Sequence, residues 1–101
     1  MDENKKKAAR EQLFKAILSL NTMEECADFF DDLCTLKELE AFTQRFHVAR
    51  RILNGETYEM INLETNARSN LIFRMKKSLQ REKSCLREVL ERLPEKEGSM
   101  K

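Results

Sequence analysis

Residues 54–79 read NGETYEMINLETNARSNLIFRMKKSL, and this stretch decides the fold. Gly55 marks the end of one helix, because glycine suits the left-handed backbone that follows a helix C-terminus. Thr57 can cap the short helix that comes next. The segment Asn66–Ser69 then separates this short helix from a basic one. Two helices joined by a tight turn are typical of a helix-turn-helix, here over about residues 57–80, which places its second helix in the major groove of DNA.

The rest of the chain is also helical in composition. Of 101 residues, 37% are charged, only two are glycine and one is proline. No stretch alternates apolar and polar residues over the length of a strand, so we expect no sheet. Apolar spacing and capping residues predict six helices, over about residues 4–20, 23–33, 36–54, 58–64, 69–80 and 85–93. The sequence therefore predicts one all-α domain over residues 1–93 and a disordered tail over residues 94–101.

Several classes of protein are disfavoured by what the sequence lacks. It contains no phosphate-binding loop, no metal-ligand cluster and no nucleophile–base pair, so we expect neither an enzyme nor a bound metal. Cys26, Cys34 and Cys85 are odd in number and have no CxxC spacing, which indicates reduced thiols. No apolar run approaches the length of a membrane span. We therefore expect a cytoplasmic protein without membrane contact.

Charge is divided unevenly along the chain. Residues 1–65 carry a net charge of −4 and residues 66–92 carry +5. A charged segment is usually a solvated helix face. Here the basic segment begins at the turn of the predicted motif, where it would meet phosphate groups. The charge pattern therefore favours a nucleic-acid partner.

Apolar side chains form wide stripes on the first three predicted helices. In the first helix Leu13, Phe14, Ile17 and Leu18 recur at helical spacing. A monomer of this size would leave part of such stripes in water. We therefore expect a homodimer whose interface is built from the first three helices.

The motifs FFDDLCTLKEL (29–39), TQRFHVA (43–49), LNGETYE (53–59) and VLERL (89–93) resemble the Trp repressor-like family, specifically its YerC/YecD branch. The resemblance covers about residues 10–93. It implies a six-helix domain with one helix-turn-helix per subunit, assembled as an intertwined homodimer. It also implies a bacterial transcription regulator, and specifically a repressor, that binds operator sequences in double-stranded DNA.

By position, the resemblance makes the fifth helix the recognition helix, although its residues depart from the family pattern. We predict that its DNA-binding residues are Arg68, Ser69, Asn70, Arg74, Lys76 and Lys77. The family's tryptophan ligands, a threonine and two arginines, correspond to Thr35, Arg45 and Arg74. Met75 replaces the glycine that follows the second arginine. Because a thioether chain would fill space that an indole needs, we expect no cofactor and no tight tryptophan binding.

Each of these roles has a simpler alternative. Thr35 can be a helix cap, and Arg45 can pair with carboxylates of the second helix.

The second function class is a helical dimer with a degenerate helix-turn-helix that acts through protein–protein contacts. The orientation of the fifth helix distinguishes the two classes. Apolar side chains turned inward leave the basic ones free for DNA, whereas apolar side chains turned outward suit a protein partner.

Overall fold

The structure, a computed structural model, describes residues 1–94. Over these residues it contains six helices and no strand, so the all-α prediction is confirmed. The helices are α1 (Glu3–Leu18), α2 (Met23–Leu33), α3 (Leu36–Leu53), α4 (Tyr58–Thr65), α5 (Ser69–Gln80) and α6 (Cys85–Arg92). The disordered tail was predicted over residues 94–101. All of these except Pro94 lie outside the residues that the structure describes. Within residues 1–94 no helix combines the length and apolarity needed to cross a bilayer.

Threonine or serine side chains cap four of the helices, among them Thr35 and Thr57 as predicted. Thr22, Thr57 and Ser84 each accept a hydrogen bond from a backbone N–H in the first turn of α2, α4 and α6. Thr35 and Glu38 bond reciprocally at the start of α3, at 3.1 Å and 2.8 Å. This capping box satisfies two N–H groups that would otherwise lack partners. The helix starts are therefore fixed by local sequence.

The first helix differs slightly from its prediction. Asp2 caps it, accepting from the Lys5 N–H at 2.9 Å, so α1 begins at Glu3. It ends at Leu18 rather than Leu20, and the Ser19 hydroxyl and N–H both donate to carbonyls near its C-terminus.

The chain divides into two compact units, Met1–Leu39 and Glu40–Lys101, with the boundary inside α3. In the first unit no residue of α1 or α2 is buried. Its exposed apolar side chains include Leu13, Phe14, Leu18, Met23 and Leu33, and Leu18 is 84% exposed. The single domain predicted over residues 1–93 stays a prediction.

The second unit contains the buried core. One cluster joins α3, α4, the following turn and α5 through Val48, Ile61, Ala67, Ile72 and Met75. A second cluster joins α3, α5 and α6 through Ala49, Leu79 and Leu90. Because α5 contributes to both clusters, its orientation is set by the core beneath it.

Candidate nucleic-acid interface

Helices α4 and α5 form the predicted helix-turn-helix. The turn between them is Asn66–Arg68, three residues rather than the four expected. Asn66 has φ +61°, which is the left-handed conformation that asparagine tolerates better than most residues. Asn66 thus makes the sharp reversal between α4 and α5.

The turn is held by side chains of α4. The Asn62 amide donates to the Ala67 carbonyl at 2.7 Å. The Thr65 hydroxyl donates to the Ile61 carbonyl at 2.7 Å and accepts from the Ala67 N–H at 3.1 Å. Asn62 therefore makes a specific hydrogen bond across the turn. This role was not apparent from the sequence, since it depends on the turn geometry.

Contacts from α3 fix the other side of α4. Arg51 pairs with Glu56 at 2.7 Å and with Glu64 at 3.3 Å, and so connects the end of α3 to the loop and to α4. The Gln44 amide donates to the Thr65 carbonyl at 2.9 Å, at the C-terminus of α4. The first helix of the motif is therefore held against α3 by polar contacts as well as by the core.

The two faces of α5 have different compositions. Ile72, Met75 and Leu79 are buried, and Leu71 packs against the core. Along the whole of α5 the exposed residues are Ser69, Asn70, Phe73, Arg74, Lys76, Lys77 and Gln80. In the middle of α5, the apolar residues Leu71 and Met75 therefore turn inward and Phe73 turns outward. The basic residues are therefore left on the free face.

The predicted DNA-binding residues lie together on this face and on the turn before it. Among residues 1–94, Arg68, Arg74, Lys76 and Lys77 form no ion pair. Ser69 is the first residue of α5, as its predicted bounds require, and Arg68 takes the cap position without a side-chain bond. The Asn70 side-chain oxygen accepts from the Leu71 N–H at 2.9 Å, which leaves its amide hydrogens free.

Arg87 of α6 fixes the C-terminal end of α5. Its guanidinium donates to the carbonyls of Leu79, Arg81 and Glu82, the last two at 3.0 Å and 3.2 Å. A cation at a helix C-terminus is favoured by the partial negative charge there. The sequence offered only a basic residue near a helix end as a signal for this role.

The residues matching the tryptophan ligands have other contacts. Thr35 caps α3, which supports the simpler of its two interpretations. The Arg45 guanidinium lies 5.8 Å from the centroid of the Phe42 ring. Its ion pair with α2 would join the two units and stays a prediction. Met75 is only 7% exposed and belongs to the core.

Comparisons with known proteins agree with this arrangement. The family model described as Trp repressor protein matches residues 8–94. The uncharacterised protein YerC of Bacillus subtilis strain 168 is 44% identical over 87 residues, which are 86% of this chain and 84% of YerC.

Two solved structures are similar in fold. A Trp repressor candidate from Staphylococcus aureus has a TM-score of 0.80 and 41% identity, covering 91% of this chain and 94% of its own. A TrpR-like protein from Eubacterium eligens has the same TM-score and identity, covering 84% and 88%. The similarity therefore extends beyond the helix-turn-helix and spans most of the chain. The chain belongs to the Trp repressor family, in the branch that includes YerC.

Proposed function

We propose that this protein is a cytoplasmic repressor of transcription that binds operator sequences in double-stranded DNA as a homodimer. Membership of the Trp repressor family indicates a DNA-binding transcription regulator. The observation that carries the proposal is the exposed face of α5, which has two polar residues at its start and basic residues along its length that form no ion pair within residues 1–94. Such a face suits the phosphate backbone and the base edges at once.

The position of each residue on α5 suggests its role. The first residues of a recognition helix enter the groove, so Ser69 and Asn70 are assigned to the base edges. Asparagine can bond adenine in two places at once. Arg68, Arg74, Lys76 and Lys77 are assigned to phosphates, since they are exposed and form no ion pair within residues 1–94.

A gel-shift assay against fragments of the protein's own genome tests the proposal. We expect binding that weakens steeply with salt, because each neutralised phosphate adds roughly −0.9 to the logarithmic slope. Lys76→Ala/Lys77→Ala should weaken binding to all fragments alike and make this slope shallower. Lys5→Ala/Lys7→Ala removes the same charge from exposed positions of α1 and is the matched control.

A second experiment separates base reading from phosphate contact. Asn70→Ala should erode the preference between sequences by about 1–3 kcal/mol per lost bidentate contact, while affinity for unrelated DNA changes little. A Lys76→Ala/Lys77→Ala variant that binds as tightly as the parent would exclude α5 as the DNA-facing helix.

The second candidate function is a helical dimer that acts through protein contacts. The exposed Phe73 ring is the observation that favours it, because an outward apolar group on α5 suits a protein surface. The inward orientation of Met75 and Leu71 favours DNA instead. We also propose that binding requires no tryptophan, so the gel shift should be the same with and without this amino acid.

A further inference from the structure

Phe73 lies at the middle of the exposed face of α5. With 3.6 residues per turn, it shares this face with Asn70 and Lys77 and points away from the buried Ile72 and Leu79. Its side chain is 62% exposed. It is the one large apolar residue among the exposed positions of α5, a helix that the structure describes in full. The ring is therefore available for a contact outside the subunit and contributes little to the core.

The neighbours of Phe73 give its surroundings a definite chemistry. Asn70 lies one turn before it and Lys77 one turn after it, and side chains at these spacings are neighbours on a helix surface. The Lys77 ammonium lies 5.5 Å from the centroid of the Phe73 ring. A cation over the ring face holds the aromatic side chain in place. The Phe73 ring thus lies between Asn70, which suits base edges, and Lys77, which suits phosphates.

The major groove offers such a ring one apolar target, the 5-methyl group of thymine, which apolar side chains including phenylalanine contact. We propose that Phe73 is the residue of α5 that recognises a thymine methyl group in the operator. This inference rests on the proposed function, and it makes Phe73 a determinant of sequence specificity. Packing the ring against the methyl group removes apolar surface of both from water.

The geometry also limits where the thymine lies. Side chains three residues apart on a helix have Cβ atoms about 5–6 Å apart. Successive base pairs are separated by roughly 3.4 Å, since 10–10.5 of them span a helical turn of 34–36 Å. The thymine therefore belongs to the base pair that Asn70 contacts or to one of the next two pairs.

Deoxyuridine substitution tests this contact, because uracil differs from thymine only by the missing methyl group. A duplex is first selected from random sequence with the full-length protein, and each thymine is then replaced in turn. We expect one position per half-site at which the replacement weakens binding roughly fourfold, the effect of exposing about one methyl-sized group. Phe73→Ala should bind thymine and uracil duplexes equally at that position. Phe73→Leu, which keeps an apolar side chain, should retain part of the difference.

Two variants serve as controls. Leu63→Ala removes an exposed apolar side chain from α4 and should keep the full thymine preference. Lys76→Ala should weaken binding to both duplexes and keep their ratio. Circular dichroism should show that Phe73→Ala remains folded, since the ring is largely exposed.

Three results would overturn the inference while leaving the proposed function intact. The first is a parent protein that binds every uracil duplex as tightly as the thymine duplex. The second is a Phe73→Ala variant that keeps the preference for thymine. Unchanged DNA binding by Phe73→Ala together with a changed sedimentation coefficient would assign the ring to a protein contact. Failure of the parent to select any duplex would instead remove the proposed function and the inference together.

Discussion

Asn66 shows how one backbone conformation positions the recognition helix. Its φ of +61° allows α4 to end and α5 to begin after only three residues. An L-residue in this conformation costs about 1–2 kcal/mol, less for asparagine and nothing comparable for glycine. The residue at position 66 therefore controls the stability of the motif.

We expect Asn66→Ala to lower the free energy of unfolding by about 1 kcal/mol, and Asn66→Gly to leave it within about 0.5 kcal/mol of the parent. Urea denaturation at one fixed protein concentration measures both changes. Glu59→Ala, at an exposed α4 position with ordinary helical backbone, is the control. Equal losses in the alanine and glycine variants would indicate that the asparagine side chain matters, rather than the backbone conformation.

Met75 is a core residue whose volume bears on whether the protein can bind tryptophan. Its side chain is buried with Val48, Ile61 and Ile72, and a ligand that needs its volume would have to displace it. Removing a methionine from a core position costs about 2–5 kcal/mol. We therefore predict that isothermal titration calorimetry with L-tryptophan detects no saturable binding at micromolar ligand. Clear saturation would mean that tryptophan binds without needing the space that Met75 occupies and that the family's glycine leaves open.

The elements of this fold differ in how well the sequence predicts them. Thr22, Thr35, Thr57 and Ser84 act on N–H groups within three residues, so the sequence alone predicts these caps. The start of α5 differs from these four, because Arg68 occupies the cap position and makes no side-chain bond there.

The contacts that orient α4 and α5 were not predicted, since they join residues distant in the sequence. Gln44 reaches Thr65, 21 residues away, and Arg51 reaches Glu64, 13 residues away. The inward or outward direction of Phe73 and Met75 likewise depends on how α5 rests on the core. The residues of the candidate site could be named from the sequence. The sequence could not show which side chains of α5 face the core and which face solvent.

Arg87 allows a prediction at the level of one helix. Arg87→Met should lower the free energy of unfolding by about 1.5–3 kcal/mol, because hydrogen bonds from a charged donor to the carbonyls at the end of α5 are lost. Arg87→Lys should recover only part of this, as an ammonium lacks the fork of a guanidinium. Hydrogen exchange should become faster at the amides of the last turn of α5.

Arg92→Met is the matched control for the Arg87 variants. Arg92 is an exposed arginine in the last turn of the same helix, α6, and within residues 1–94 its side chain forms no hydrogen bond or ion pair with α5. Unchanged exchange at the end of α5 in Arg87→Met would show that the guanidinium is not what holds this end of the recognition helix.

At the scale of the whole molecule, the first three helices carry large apolar side chains that are exposed in the single chain. The first unit buries no residue of α1 or α2, and Phe14 is 52% exposed in the single chain. A dimer covers such surface. Two recognition helices in a dimer should lie about 34–36 Å apart, to match successive major grooves. Analytical ultracentrifugation at micromolar protein should give a dimer, and a single folded monomer would contradict this assembly.

Phe14→Asp tests whether folding depends on the dimer. If the subunits are intertwined, a charge placed in the α1 stripe should unfold the chain rather than release a folded monomer, since the protomer has no sufficient core of its own. Circular dichroism and sedimentation should therefore lose helix content and the dimer together. Gln12→Asp places the same charge on the opposite side of α1, about 160° around the helix, and should keep both. In the parent, the melting temperature should rise with protein concentration, because dissociation and unfolding are then one equilibrium. A soluble, helical Phe14→Asp monomer would show that each subunit folds independently and that the dimer is assembled from preformed domains.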